Sequence, residues 1–301
     1  MGHSRYVFTI ARGRRSLELL TYTLKGSLGI PNTGIFPDHP QDYSFVDTKV
    51  SPNVEYAFHA LALDEKRRPF SPTIWEKPAG QDLPKLLKQC WFPGAHSNVG
   101  GSYDDAELAD ITLAWMISQL EDLLYFDEGY VTWQHDLNLN YYRDIHKDPR
   151  SWGMGMIYDS RTAIQTLGYP RIREPGRYHA VDPITAKETT RPLRDTGEHI
   201  HACVRVRMSS ENGLGTADRG HYDPEALREW ELAGVDHARE VIDDAADQHH
   251  LGMHRFRWEH RTDEKQVPLP EDTLGEVELR LIETYPDVYQ HLYSYVPRGR
   301  D

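Results

Sequence analysis

Gln89-Cys90-Trp91-Phe92-Pro93-Gly94-Ala95-His96-Ser97-Asn98-Val99-Gly100-Gly101-Ser102-Tyr103 decides the fold. The apolar run from Leu83 to Phe92 reads as a buried strand, and it enters a glycine-rich turn with a histidine at its lip. Gly94, Gly100 and Gly101 permit tight turns and close backbone approach. Asp104, Asp105 and Glu107 then precede Leu108, Ile111, Ala114, Trp115, Ile117 and Leu120, the apolar content of a helix whose positive end suits acidic side chains. Strand, histidine loop and helix in that order predict an α/β protein.

Working outward, Ser51-Pro52-Asn53 ahead of Val54, Tyr56, Ala57, Ala60, Leu61 and Leu63 reads as a capped helix. Upstream, Gly26 to Pro40 is dense in Gly, Pro and Asn and predicts a loop. Tyr6 to Ala11 is a short apolar run, and Leu17 to Leu24 fits helix or strand equally. Downstream of Asp122 the periods loosen. Ser151 to Thr166 is helix or coil, and His201 to Met208 alternates like a late strand with one charged face. Ala238 to His250 reads as a short acidic helix, Phe256 to Glu259 as a strand, and Leu274 to Glu283 as a final amphipathic helix.

Hydrophobic residues make up 39% of the 301-residue chain, with 7 Trp and 17 Tyr, which predicts a packed globule. A net charge of −13 repels phosphate backbones and excludes nucleic acid as a first choice of partner. Cys90 and Cys203 lie in apolar runs as buried free thiols, placing the chain in a reducing, cytoplasmic compartment. No signal peptide is read at the N-terminus, and no run approaches the length of a transmembrane segment.

The wording of the opening stretch, with Leu108-Ala109-Asp110-Ile111-Thr112-Leu113-Ala114-Trp115-Met116, resembles the α/β hydrolase family of the type VI secretion phospholipase effectors, and its fungal branch most. Gly26-Ser27-Leu28-Gly29-Ile30-Pro31, Asp47-Thr48-Lys49-Val50, Asn53 to Phe58 and Ala60-Leu61-Ala62-Leu63-Asp64-Glu65 with Arg67-Arg68-Pro69-Phe70 fit the same branch. The resemblance runs from about Gly26 to beyond Tyr222. It implies an incomplete α/β-hydrolase-like sheet flanked by helices, in a single domain over 1–301. Residues 1–25 are then an atypical N-terminal remnant and about 123–301 a C-terminal extension.

It also implies a serine esterase or phospholipase acting on a lipid or other acyl ester. Such an enzyme needs a nucleophile, a base and an orienting carboxylate. His96 takes the base position. Gly2-His3-Ser4-Arg5-Tyr6 echoes the family's Gly-x-Ser-Arg-Gly turn, with Ser4 as nucleophile. Tyr6 replaces the second glycine, which lets such an elbow close, and no strand precedes Ser4. Family members carry Trp-Asp-Thr-Val before the Gly-Ser-Leu-Gly block, whereas Tyr22-Thr23-Leu24-Lys25 stands here. Thr23 therefore occupies the aspartate's place and cannot hold a negative charge. Asp47, Asp64 and Asp110 are substitutes that spacing does not separate. The short interval from Ser4 to Gly26 reads as loss of the N-terminal third, which leaves an uncovered sheet edge and predicts self-association. The competing reading is an inactive remnant or a binding protein that keeps the scaffold.

His249, His250 and His254, or His199 and His201, suggest imidazole pairs, but no catalytic glutamate accompanies them and Gly252 interrupts the helical spacing, so no metal is assigned. Asp243, Asp244 and Asp247 lack the pattern of a calcium loop and read as a solvated face. Arg67-Arg68 beside Asp64-Glu65 reads as an ion-pair cluster before a phosphate site. The lone Gly213-Leu214-Gly215 does not make a nucleotide loop, and Tyr125 to Tyr142 fits a lid or core packing. No cofactor is expected.

Overall fold

The structure is a computed structural model and describes residues 9–13, 17–20, 50, 54–80, 82, 84–127, 129–159, 170–182, 187–234, 256–285, 288 and 292. Strands β1 (Thr9–Gly13), β2 (Leu17–Leu20), β3 (Val54–Ala62) and β4 (Leu86–Phe92) belong to one five-stranded sheet. Helices α1 (His96–Gly100), α2 (Glu107–Leu120) and α3 (Tyr130–Asp144) follow β4. A hairpin of β5 (His179–Val181) and β6 (Glu188–Pro192) leads to β7 (Glu198–Ile200), which completes that sheet in the order β2-β1-β3-β4-β7. After α4 (Ala202–Ser209), strands β8 (Trp230–Gly234), β9 (Phe256–His260) and β10 (Leu269–Pro270) form a three-stranded antiparallel sheet, and α5 (Glu276–Ile282) comes last. The architecture is mixed α/β.

The parallel pairs are β3 with β4, from Tyr56 opposite Leu86 to Ala62 opposite Phe92, and β4 with β7, from Gln89 opposite Glu198 to Trp91 opposite Ile200. Both faces of this part are covered. Ala57 and Leu87 pack with Val50, Val54 and Trp75, while Phe58, Ala60, Cys90 and Phe92 join α2, α4 and α5 in the largest core. Trp91 and Leu61 enter a further core with Ile200, Tyr178 and Trp230. Parallel strands buried on two faces read as continuous apolar runs, and β4 follows this except at Lys88 and Gln89, which are buried with polar partners.

That double burial explains a correction. Val54–Ala62 is a strand where a capped helix was expected, because residues packed on opposite faces imitate helical spacing. Val54, Tyr56 and Phe58 are of the types that favour strands. His201 to Met208 is the reverse case, forming α4 instead of a strand. The His201 side chain caps it by accepting from the Cys203 N–H, and the alternating arginines, Arg205 and Arg207, are buried like Val204 and Val206 beside them. Leu17–Leu20 is strand, and β1 pairs antiparallel with β3. The edge of β3 away from β4 is thus hydrogen-bonded by a hairpin. Residues 151–159 are without helix, and the expected acidic helix over 238–250 lies outside the described residues. The strand at Phe256 and the final helix are present.

Candidate active site at the carboxyl ends of the parallel strands

In sheets with parallel strands, ligands bind beyond the carboxyl ends of the strands, where loops leave for the helices. Three such exits meet here: Leu63-Asp64-Glu65 after β3, Pro93 to His96 after β4, and His201 after β7. Backbone bonds tie them together. Leu63 N–H donates to Phe92 O, Asp64 N–H to Gly94 O and His201 N–H to Trp91 O, each at 3.0 Å.

Gly94 makes the turn possible, with φ at +105° and a position where a Cβ would stand 2.6 Å from the Cβ of Asn98. Its N–H donates to Asp64 Oδ2 at 2.6 Å, and the Tyr222 hydroxyl donates to the same oxygen at 2.8 Å. Burial raises the Asp64 carboxyl above its ordinary range. Asn98 closes the turn from within α1: its Oδ1 accepts from Ala95 N–H at 3.2 Å and its Nδ2 donates to Met156 O at 2.8 Å.

His96 is the first residue of α1, four residues beyond the last of β4, and is partly exposed. Its N–H donates to Glu65 Oε2 at 3.2 Å. The Glu65 carboxylate also takes Arg67 Nε at 2.9 Å and Nη2 at 2.7 Å. Burial alone would raise Glu65, but the Arg67 bonds and charge outweigh it and hold the carboxyl below its usual range. Arg67 lies 3.9 Å over the Phe70 ring, whose centroid is 5.0 Å from that of His96. Buried Arg173 fastens the turn from below, donating to Arg67 O at 3.1 Å and Phe70 O at 2.8 Å. The imidazole therefore rests on a stack that begins at Glu65. Burial lowers the His96 pKa, Glu65 opposes that shift, and the Arg67 and Arg173 cations reinforce it. A ring below its ordinary 6.5 is neutral at pH 7 and able to accept a proton.

Ser4, Thr23 and Asp47 lie outside the described residues. Of the other substitutes, Asp64 is engaged by Gly94 and Tyr222, and Asp110 is buried in the first turn of α2. No hydrogen bond joins a described carboxylate to the His96 ring. The acid set against His96 is Glu65, which the sequence placed in an ion-pair cluster with Arg67 and not beside the base. Phe70 was quoted inside a motif without a role, and Arg173, in a proline-rich loop, carried no signal.

A second polar group is sealed inside at the exit of β7. His201 Nδ1 is 2.9 Å from Cys203 Sγ, and its Nε2 is 2.7 Å from Glu278 Oε1. Burial opposes charge on His201, but Cys203 and Glu278 outweigh it and hold the ring well above its ordinary value. His199 turns to Gly197 O instead, so the two histidines do not form a pair. Among the described residues no three His, Cys, Asp or Glu side chains are grouped to hold a metal. His249, His250, His254 and the Asp243-Asp244-Asp247 cluster lie outside them. Arg67 is the ion-paired residue expected, Arg68 is exposed, and Gly213 lets the chain pass where a Cβ would meet Arg207 O.

Residues 24–119, which include β3, β4 and His96, match a family model described as T6SS, Phospholipase effector Tle1-like, catalytic domain. Comparison with curated proteins and with solved structures gave no match.

Proposed function

We propose that the chain is a phospholipase-type carboxylester hydrolase in which His96 is the general base and Ser4 the nucleophile. The sheet is then an incomplete α/β-hydrolase arrangement in one domain over 1–301, with 123–301 as its extension. The observation that carries the reading is His96 itself: an imidazole kept neutral by burial, at the carboxyl end of a central parallel strand, within the segment similar to the phospholipase effector catalytic domain. In the reaction the Ser4 hydroxyl gives its proton to His96 as its oxygen bonds to the ester carbonyl carbon. The imidazolium returns the proton to the departing alkoxide, and water repeats the sequence to release the acid. We assign the chain to the fungal branch and to a reducing cytoplasm, an assignment supported by the free, buried Cys90 and Cys203.

Fluorophosphonate labelling and short-chain ester hydrolysis test this. Labelling is expected at Ser4, abolished by Ser4→Ala and suppressed by His96→Ala. Turnover is expected to be about 10³- to 10⁴-fold below that of an intact triad, because Thr23 replaces the orienting carboxylate. A folded sample that labels nowhere would instead favour the inactive scaffold.

A further inference from the structure

Helix α3 is amphipathic in the unusual sense. Its inner face carries polar Gln134, His135 and Asn138 along with Val131 and Tyr142. Three of these inner groups have partners: Asn138 Oδ1 accepts from Ala106 N–H at 2.9 Å, the Tyr142 hydroxyl donates to Asp105 Oδ2 at 2.7 Å, and His135 Nδ1 meets the Tyr285 hydroxyl at 2.9 Å. The solvent face instead presents Tyr130, Trp133 and Leu137, at spacings of three and four residues, 43%, 52% and 40% exposed. Tyr125 in the preceding loop is fully exposed, and Ile145 just past the helix is 39% exposed. Exposed aromatic and aliphatic groups grouped on one face mark a contact surface.

We infer that this outer face of α3 docks the protein onto a zwitterionic phospholipid surface, an inference that rests on the phospholipase reading above. Amphipathic Trp and Tyr rings suit the boundary between headgroups and acyl chains, and an aligned stripe on one helix can enter it while the opposite face stays bolted to the protein. The surrounding charge selects the lipid. Asp127, Asp136, Asp144 and Asp148 stand exposed beside the stripe against Arg143 and Lys147. Such a rim complements the outward ammonium of phosphatidylcholine and is repelled by an anionic leaflet. It also disfavours a second copy, because a two-fold pairing would bring the acidic rim against itself. Position agrees with use: the Tyr142 hydroxyl of α3 donates to Asp105 Oδ2, which also accepts from Met156 N–H, and Met156 O accepts from Asn98 in the helix that begins at His96, so α3 is linked to the candidate active site through two residues. Among the described residues no helix is long and apolar enough to cross a membrane, which makes surface docking the helical route to a bilayer substrate for this part of the chain.

The test is co-sedimentation of the full chain with phosphatidylcholine and with phosphatidylglycerol vesicles, alongside hydrolysis of a soluble short-chain ester. Wild type is expected to bind phosphatidylcholine vesicles in preference to phosphatidylglycerol. Trp133→Ser with Leu137→Ser is expected to lower that binding by about tenfold or more while leaving soluble-ester turnover unchanged. Tyr130→Ser provides a second variant on the same stripe. Absence of binding, equal binding by the variants, or preference for phosphatidylglycerol overturns the inference. So does loss of a concentration-dependent oligomer in the variants, which would show that a second copy covers the face. Vesicle binding as expected without any Ser4-dependent ester turnover would retain the docking face and discard the hydrolase reading.

Discussion

Replacing Gly94 by alanine should separate two costs that the structure superimposes at the turn carrying His96. With φ at +105°, any L-residue there is strained, and the new methyl would lie 2.6 Å from Asn98 Cβ and 3.0 Å from its Cγ. Asn98 cannot swing away without releasing both Ala95 N–H and Met156 O. The left-handed conformation costs about 1–2 kcal/mol, and forcing a methyl into a packed interior about 1–3 kcal/mol more, for a total of about 2–5 kcal/mol. Gly80 is the internal control, because its φ is +72° but an added Cβ would meet nothing within 4 Å. Gly80→Ala should therefore lose only the conformational part, about 1–2 kcal/mol. Urea unfolding followed by tryptophan fluorescence measures both, and unchanged m-values would show that the same transition is compared. If the two variants fall within about 0.5 kcal/mol of each other, the steric reading of the turn is wrong. Ester turnover should fall in Gly94→Ala and not in Gly80→Ala, since only the former displaces the backbone two residues before the imidazole.

Glu65→Gln removes the group that opposes the downward shift of His96, so the acid limb of kcat/KM and the ring's NMR titration should both move to lower pH. An upward movement would contradict the assigned electrostatics. Glu107, buried and accepting from Gly153 N–H at 2.6 Å and Gly155 N–H at 2.8 Å, is pushed up by burial to about 8. The folded chain then holds a proton that the unfolded chain, at the ordinary 4.5, gives up, so this contribution to stability is complete below 4.5 and declines as pH rises through about 8. Glu107→Gln should flatten the fall in urea midpoint across that window, and an unaltered slope would place the titration elsewhere. Glu278→Gln breaks a sealed pair and should cost about 3–5 kcal/mol, whereas Glu225→Gln, at the partly exposed pair with Lys66, should cost under about 1 kcal/mol. Equal losses by thermal or urea unfolding would remove the distinction between the two.

How much of this was legible in the sequence depended on whether burial followed a single period. The run into Phe92 and the helix from Glu107 were readable because each is buried nearly throughout and mostly apolar, so position on a face mattered little. Val54–Ala62 was misread because Ala57 and Phe58 are both buried on a strand that packs on two sides, which erases the alternation a half-buried strand would show. His201 to Met208 was misread for the opposite reason. Arg205 and Arg207 looked like a solvent face, yet Arg205 is paired with Glu271 at 2.7 Å and Arg207 donates to the carbonyls of Gly153, Gly155 and Leu214. Neither partnership is visible from the chain, since Glu271, Gly153 and Gly155 lie more than fifty residues away. His96 could be found because glycines mark its turn, while the stack that holds it depends on Arg173, which only the folded loop brings beneath Phe70.

These long-range partners also bear on how the chain is divided. Lys88 in β4 pairs with Asp272 at 3.0 Å, and Trp115 in α2 donates to the other oxygen of Asp272 at 2.8 Å. Trp91 donates to Glu198 at 3.0 Å, and His201 reaches Glu278 in α5. In each case a carboxylate from beyond residue 190 satisfies a polar atom in or beside the central sheet. Such pairs add little net stability compared with apolar packing, because desolvation offsets their attraction, but separating them strands a charge indoors. Lys88 in β4 and Trp115 in α2 would both lose Asp272 if the segment bearing it were taken away. The described segments that carry Glu198, Asp272 and Glu278 therefore pack into the core around β4 rather than beside it, which supports our proposal of a single domain.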